Sequence, residues 1–171
     1  VALIHIDAHA DINEEMFGEP IAHGTPIRRA IEEKAIVPEL SFQIGLRGTG
    51  YASNDFDWSR EQGVEVVQAE ECWYKSLAPL MARVREKIGS HPVYLTYDID
   101  SLDPGFAPGT GTPEIGGLTT PQALEIVRGC RGLNLVGCDL VEVSPPYDTT
   151  GNTALTAANL LFEMLCVLKT G

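Results

Sequence analysis

The chain opens with Val1-Ala2-Leu3-Ile4-His5-Ile6-Asp7-Ala8-His9-Ala10-Asp11, in which an apolar run leads into alternating charged residues. The run over residues 2–6 is typical of a parallel strand that is buried on both faces. Alternate residues of an extended chain point the same way, so Asp7, His9 and Asp11 can aim at a common point. Carboxylates with one imidazole suit Mn²⁺ better than metals that prefer thiolates. Taken alone, the segment is equally well explained as a strand-end turn whose aspartates bind backbone groups.

A second acidic segment follows another apolar run. Residues 93–96 lead into Tyr97-Asp98-Ile99-Asp100-Ser101-Leu102-Asp103-Pro104. Asp98 and Asp100 face the same way and would repel each other unless a cation lies between them. Uncompensated like charges at the end of a buried strand are costly. Two such segments on strands of one sheet therefore predict a metal site.

Strand-like and helix-like patterns alternate along the rest of the chain. We predict strands over residues 2–6, 41–46, 64–67, 93–97 and 133–143, and helices over residues 27–34, 53–62, 69–87, 123–130 and 152–168. Thr25-Pro26 and Thr120-Pro121 each supply an N-cap residue followed by proline at the first helical position. The alternation predicts a three-layer α/β fold with a mostly parallel sheet.

Acidic residues fall at the ends of three predicted strands. Asp7 follows the first strand, Asp98 ends the fourth and Glu142 lies at the end of the last. Functional groups of such folds collect beyond the carboxyl ends of the strands, so we expect these three side chains at one edge of the sheet.

A loop rich in glycine, proline and threonine follows the second acidic segment. It reads Ala107-Pro108-Gly109-Thr110-Gly111-Thr112-Pro113-Glu114. A phosphate-binding loop would require a Gly-Lys-Ser or Gly-Lys-Thr ending, which is absent from this stretch. We expect the loop to line a substrate pocket beside the metals.

Composition narrows the possible partners. The chain has 171 residues, 44% of them hydrophobic, which suits one globular domain with a substantial core. A net charge of -12 disfavours binding to nucleic acid or to an anionic membrane surface. No apolar run in the sequence is long enough to span a bilayer.

The cysteines are widely spaced and form no Cys-x-x-Cys pair. Cys72, Cys130, Cys138 and Cys166 each lie in an apolar or helical context. We interpret them as buried thiols in a reducing compartment, which favours a cytoplasmic location. A mitochondrial location stays open because we expect the true N-terminus to precede Val1.

Four ordered motifs together resemble the ureohydrolase family, which holds arginase, agmatinase and the guanidino-acid hydrolases. They are residues 7–11, His23-Gly24, residues 98–104 with 108–113, and residues 139–145. The agmatinase, guanidinobutyrase and guanidinopropionase branch is the most similar, through residues 111–115, 144–148 and 13–18. The resemblance implies the arginase-deacetylase type of fold.

The resemblance also implies a site for two Mn²⁺ ions. Asp7 and Asp98 would bridge the ions, His9 and Asp100 would complete the shell of one, and Asp11 would bind the other. The ions would lower the pKa of a shared water, so that hydroxide attacks the planar guanidinium carbon and urea and an amine are released.

Further residues receive roles from the same resemblance. His23 would carry the proton to the leaving group, Glu142 would pair with the guanidinium through two hydrogen bonds, and Thr112 would line the pocket. Asn13 begins a segment, Asn13-Glu14-Glu15-Met16, that we expect at the pocket mouth. Its acids suit a cationic substrate such as agmatine, while its similarity to guanidino-acid enzymes favours 4-guanidinobutanoate or a related acid, towards which we lean.

The chain departs from the family in one motif. Ureohydrolases carry a further metal-binding histidine in a Gly-Gly-Asp-His segment on an earlier strand, and this sequence contains none. We therefore expect residues 1–171 to be the C-terminal larger part of a single ureohydrolase domain, with the ion at Asp11 one imidazole short. The resemblance further implies a homo-oligomer, a trimer or a hexamer.

Two other functions remain open. A zinc-dependent deacetylase-like amide hydrolase of the same fold would use one metal instead of two, and a truncated, non-catalytic subunit would bind metal weakly. Among the remaining residues we interpret His5 as a packed or supporting residue. We expect Trp58 and the methionines to pack in the core, and Arg28 and Arg29 to be surface charges or subunit contacts.

Overall fold

The computed structural model of the chain describes residues 1–48, 50 and 54–168. Within this part of the chain there is a parallel sheet of five strands: β1 (Ala2–Ile6), β2 (Phe42–Leu46), β3 (Glu65–Gln68), β4 (Pro92–Asp98) and β5 (Asn134–Val141). Their order in the sheet is β3-β2-β1-β4-β5. Each predicted strand is confirmed, with boundaries that shift by at most two residues.

Helices connect and follow the strands. They are α1 (Pro26–Glu32), α2 (Asp57–Glu61), α3 (Ala69–Cys72), α4 (Ala78–Ile88), α5 (Thr120–Gly129) and α6 (Asn152–Val167), with short 3₁₀ turns at Pro38–Leu40, Ile99–Ser101 and Pro145–Tyr147. The predicted start of the second helix, Ser53, lies outside the described residues.

Two helix predictions are wrong in detail. The single helix predicted over residues 69–87 is two helices, because Tyr74 adopts a left-handed φ of 58° and the helix cannot continue through it.

The N-cap of α5, predicted at Thr120, lies one residue earlier, at Thr119. The hydroxyl of Thr119 accepts the Gln122 N–H, and the Gln122 side chain accepts the Thr119 N–H at 2.9 Å, which forms a capping box.

Apolar clusters cover the two faces of the sheet, which confirms the three-layer α/β fold. On one face Ile4, Phe42 and Leu95 pack with residues of α4, α5 and α6. On the other face Leu3 and Leu46 pack with Ile31 of α1. β1 and β2 are buried throughout, as predicted for parallel strands. β5 is only half-buried, so the prediction of burial on both faces fails for this edge strand.

The strand order reverses direction between β1 and β4. From β1 the chain adds β2 and β3 on one side, whereas β4 and β5 lie on the other. β1 and β4 are neighbours, with Ile6 opposite Tyr97 in the register. The crevice beyond the carboxyl ends of two such strands is where α/β proteins bind ligands. Asp7 and Asp98 are the residues at this point.

The four cysteine thiols are free. Cys72 and Cys130 are buried as predicted, but Cys138 is half-buried and Cys166 is exposed. The prediction is wrong for Cys166 because α6 turns that side of the helix away from the core. None of the helices among the described residues is long and apolar enough to span a bilayer.

Candidate metal centre

A cavity of about 550 Å³ opens at the carboxyl ends of β1 and β4. Its walls include every site residue that the sequence singled out: Asp7, His9, Asp11, Asn13, His23, Asp98, Asp100, Thr112 and Glu142. These residues come from three strand ends and from the loops after β1 and β4. The fold therefore brings the separate motifs together in one place.

Asp7 is held by a chain of buried side chains. His5 Nε2 lies 2.7 Å from Asp7 Oδ2, and the His5 Nδ1 lies 3.0 Å from the Gln43 amide nitrogen. The same amide nitrogen donates to the Ala10 carbonyl, so Gln43 donates in both bonds and His5 donates to Asp7. Burial opposes a charge on His5, but the Asp7 carboxylate outweighs it and raises the His5 pKa. Burial likewise opposes ionisation of Asp7, and the contact with His5 lowers the Asp7 pKa.

His9 faces carboxylates on both sides of its ring. Its Nδ1 lies 3.0 Å from Asp100 Oδ2 and 3.6 Å from Asp7 Oδ1, and its Nε2 lies 3.8 Å from Glu114 Oε1. The hydrogen bond to Asp100, followed by that to Asp7, raises the pKa of His9 to about 10. Gly48 packs against this ring so closely that a Cβ atom would collide with it.

The turn after β4 orients the remaining aspartates. Asp98 Oδ1 accepts the Asp100 N–H at 2.8 Å, which caps the 3₁₀ turn. Asp100 Oδ1 accepts the Ala8 N–H at 3.1 Å, and its Oδ2 accepts the Thr112 hydroxyl at 3.1 Å. Asp100 thereby ties the segment after β1 to the loop at residues 107–114, which lies beside the carboxylates as the sequence predicted.

Crowded negative charge marks the floor of the cavity. Burial and the neighbouring Asp7 raise the pKa of Asp11 to about 7, and burial with Asp7 and Asp100 raises the pKa of Asp98 to about 10. Asp11 is also held at a left-handed φ of 55°, which costs backbone energy. Carboxylates in such positions ionise when a cation neutralises them. The donor set of carboxylate oxygens and one imidazole therefore fits a hard divalent cation such as Mn²⁺.

Two groups of side chains bring their ligand atoms within 4.8 Å of one another. One holds Asp7, His9 and Asp100, and the other holds His5, Asp7 and Asp11. Both ring nitrogens of His5 are engaged by Asp7 and Gln43, so His5 supports Asp7 and has no nitrogen left for a cation. Asp98 lines the same cavity but belongs to neither group.

The residues assigned to substrate lie on the more open wall. Glu142 follows the end of β5 at a left-handed φ of 65° and is exposed. His23 and Thr112 are exposed as well, and Asn13 is half-buried. The buried aspartates thus form the floor of the cavity, and the residues assigned to the organic substrate form its mouth.

Sequence reasoning did not assign two residues of this cavity wall to the site. Trp58, predicted to serve packing, does pack against the cluster of Leu3 and Ile31 but also lines the cavity. Arg28, predicted at the surface or a subunit contact, contributes to the wall as well. Nothing local in the sequence marks them, because α1 and α2 reach the mouth only through the crossovers between strands. The position of Arg28 five residues after His23 was the one feature of the sequence that could have suggested a place near the cavity.

Arg47 is a further residue that the sequence did not reveal. Its half-buried guanidinium donates to backbone carbonyls of three chain segments, those of Gly45, Asp100, Ser101, Leu102, Glu114 and Ile115. Arg47 thus joins the end of β2 to the turn that carries Asp100 and to the loop that carries Thr112.

Comparisons with known proteins agree with this geometry. The family model described as the Arginase family matches residues 1–166. The chain is 70% identical to a guanidinobutyrase of Pseudomonas aeruginosa over 98% of its own length and 53% of the relative. It is 61% identical to a mitochondrial agmatinase of Gallus gallus, over 98% of this chain and 49% of the relative.

A solved structure has the same fold. The proclavaminate amidino hydrolase of Streptomyces clavuligerus superposes with a TM-score of 0.91 at 43% identity, over 96% of this chain and 55% of that one. This chain spans about half the length of the relatives that it matches.

Proposed function

The chain belongs to the arginase family, and from that premise we propose that its protein hydrolyses a linear guanidino compound to urea and an amine with the help of Mn²⁺. The observation that carries the proposal is the convergence of five predicted ligands and Glu142 on one cavity. The names of the relatives, a guanidinobutyrase and an agmatinase, support the same reaction class.

The residues that would hold the metal are Asp7, His9, Asp11, Asp98 and Asp100. Two divalent cations bound in such a site lower the pKa of water and supply a nucleophile near neutral pH. The raised pKa values of Asp11 and Asp98 support this assignment, since burial and neighbouring carboxylates oppose ionisation of both groups and a bound cation would offset that cost. His5 keeps Asp7 ionised and oriented.

The chain's own residues orient the substrate. Glu142 would accept two hydrogen bonds from the guanidinium, whose planar fork matches a carboxylate. Thr112 donates to Asp100, so its hydroxyl couples the substrate wall to a metal ligand. Asn13 would hold the part of the substrate beyond the guanidinium.

The reaction balances with one water molecule. A C–O bond forms at the guanidinium carbon, and the bond from that carbon to the alkyl-bearing nitrogen breaks. That nitrogen carries one hydrogen in the guanidinium and three in the ammonium product, so both protons of the water end on it. His23 at the open mouth of the cavity is placed to deliver one of them and to exchange protons with solvent. Urea and an alkylammonium ion are the products.

The substrate class within this reaction is a linear guanidino acid such as 4-guanidinobutanoate, or agmatine. The two differ in charge at the end away from the guanidinium. We also propose that the protein is a homo-oligomer, a trimer or hexamer, as its resemblance to the family implies.

Urea release by the full-length protein tests the proposal. The Mn²⁺-loaded protein is incubated in parallel with arginine, agmatine, 4-guanidinobutanoate and 3-guanidinopropanoate. We expect urea from agmatine or a guanidino acid, and two metal ions per chain by elemental analysis. Absence of urea from all four would overturn the proposal, and one zinc per chain would instead favour an amide hydrolase.

Variants separate catalysis from assembly. Asp11→Ala and Asp98→Ala should abolish urea release and reduce the bound metal. Asp57→Asn is the matched control, because this exposed aspartate pairs with Arg60 outside the cavity. Full metal content and activity in Asp11→Ala would contradict the assignment of the site.

A further inference from the structure

We propose that Arg28 is the specificity-determining residue of this cavity and that it binds the distal carboxylate of a guanidino acid. The inference rests on the proposed guanidino hydrolysis and names the charge of the substrate's far end. Arg28 is the one arginine or lysine among the described residues that line the cavity. Among the described residues, the cavity wall offers a ligand carboxylate no arginine or lysine other than Arg28.

The Arg28 guanidinium is held in place on its face and on one edge. Its carbon Cζ lies 4.9 Å from the centre of the Trp58 ring, and its Nε donates to Glu32 Oε1 at 2.9 Å. Its backbone N–H points to the carbonyl of Asp11, which ties α1 to the metal-binding segment. Because the side chain is already ordered, a ligand that binds it loses little conformational entropy.

The terminal nitrogens of Arg28 keep donor capacity for a ligand. A guanidinium carries five N–H donors, and the bond to Glu32 uses the single one on Nε. The terminal nitrogens have one further polar contact among the described residues, with Glu14 Oε2 at 4.0 Å from one of them. Two parallel N–H groups match the two oxygens of a carboxylate, which gives a charge-assisted, two-point bond.

The charges around the Arg28 guanidinium favour an anion over a cation. Glu32 is shared between Arg28 and Arg29, at 2.9 and 3.2 Å, so this trio carries one net positive charge. The competing acid, Glu14, is 81% exposed, so water screens its weak contact with Arg28. Glu142, elsewhere on the cavity wall, suits the guanidinium. The substrate that fits both regions is positive at one end and negative at the other.

Three guanidines that differ in their far end test the proposal on the Mn²⁺-loaded, full-length protein. They are 4-guanidinobutanoate, the neutral 1-butylguanidine and the cationic agmatine. We expect Arg28→Gln to lower kcat/KM for 4-guanidinobutanoate about 10- to 100-fold, the range for loss of a charge-assisted bond. The loss should appear mainly in KM. The values for 1-butylguanidine should change less than about threefold, and Arg28→Lys should recover part of the loss.

The controls distinguish recognition from folding and from the reaction itself. Arg128→Gln removes an exposed arginine that pairs with Glu163 outside the cavity, and it should leave all three values unchanged. An equal loss on all three guanidines in Arg28→Gln would show a merely structural role and overturn the proposal. So would an unchanged value for 4-guanidinobutanoate.

Binding keeps the two proposals separate. Calorimetry of 4-guanidinobutanoate on the same proteins needs no turnover. If the wild-type protein releases no urea, the proposed function fails, but weaker binding by Arg28→Gln than by wild type would still support the role of Arg28. Equal binding, or no binding by either protein, would overturn it.

Discussion

His5 Nε2 lies 2.7 Å from Asp7 Oδ2, and both side chains are 3% exposed. The register of the sheet explains this pair, because His5 lies opposite Gln43 on β2 and the Gln43 amide holds the other ring nitrogen. A supporting residue thus lies on the strand itself, two positions before the proposed metal ligand that it orients. Partners of this kind fix the direction and basicity of a ligand.

Loss of His5 should weaken metal binding. We expect His5→Ala to lower the affinity for Mn²⁺ about 10- to 100-fold, the usual effect of removing a residue that orients a ligand. Metal titration monitored by calorimetry measures this. His91→Ala is the control, since His91 is exposed and contacts only the Ile88 carbonyl among the described residues. Unchanged affinity in a folded His5→Ala protein would show that Asp7 needs no partner.

A methyl group at residue 48 should displace His9. Gly48→Ala puts a Cβ atom against the His9 ring, so we expect lower Mn²⁺ content with little change in the melting temperature. Gly111→Ala offers a comparison, because a Cβ there meets nothing within 4 Å. Elemental analysis of both purified variants decides the matter, and equal metal content in the two would contradict the expectation.

Arg47 should not tolerate replacement by lysine. Arg47→Lys keeps the charge but loses the planar fork that reaches carbonyls of three segments, so we expect destabilisation by about 2–4 kcal/mol. Urea-induced unfolding measures the change. Arg60→Lys, at an exposed pair with Asp57, should stay within about 0.5 kcal/mol of wild type. Equal stability of the two variants would rule out the joining role of Arg47.

Asp103 should make the free energy of unfolding depend on pH. Burial opposes its ionisation, but N–H groups of Gly105, Gly116 and Gly117 and the charge of Arg47 lower its pKa. A depressed pKa contributes stability above the unfolded value of about 3.9, and that stability is lost as pH falls through the lower folded value.

The Asp103→Asn variant tests this contribution. Its free energy of unfolding should fall less steeply than that of wild type between about pH 5 and pH 2, which denaturant titrations at several pH values measure. Asp57→Asn, whose side chain is exposed, controls for removal of any acid. Parallel pH profiles for wild type and Asp103→Asn would contradict the role of these N–H groups.

The local pattern of apolar residues was sufficient to predict most strands and helices of the fold. Buried parallel strands such as β1 and β2 carry continuous apolar runs, so their positions could be predicted within a residue. The helix over residues 69–87 was predicted wrongly because the amphipathic pattern continues across Tyr74, where the backbone turns left-handed. The prediction that Cys166 is buried was wrong for a related reason, since an apolar sequence context does not say which side of α6 is covered.

The sequence by itself determined which residues are candidates to bind metal. Asp7, His9 and Asp11 are spaced by the strand's own period of two, and Asp98 and Asp100 repeat that spacing, so the proposed ligands could be read without a structure. Only the tertiary structure decided what surrounds them. Gln43 reaches His5 from 38 residues away, and Arg28 reaches the cavity because α1 crosses from β1 to β2. Such contacts depend on strand register and on helix crossovers, which bring together residues that no local pattern relates.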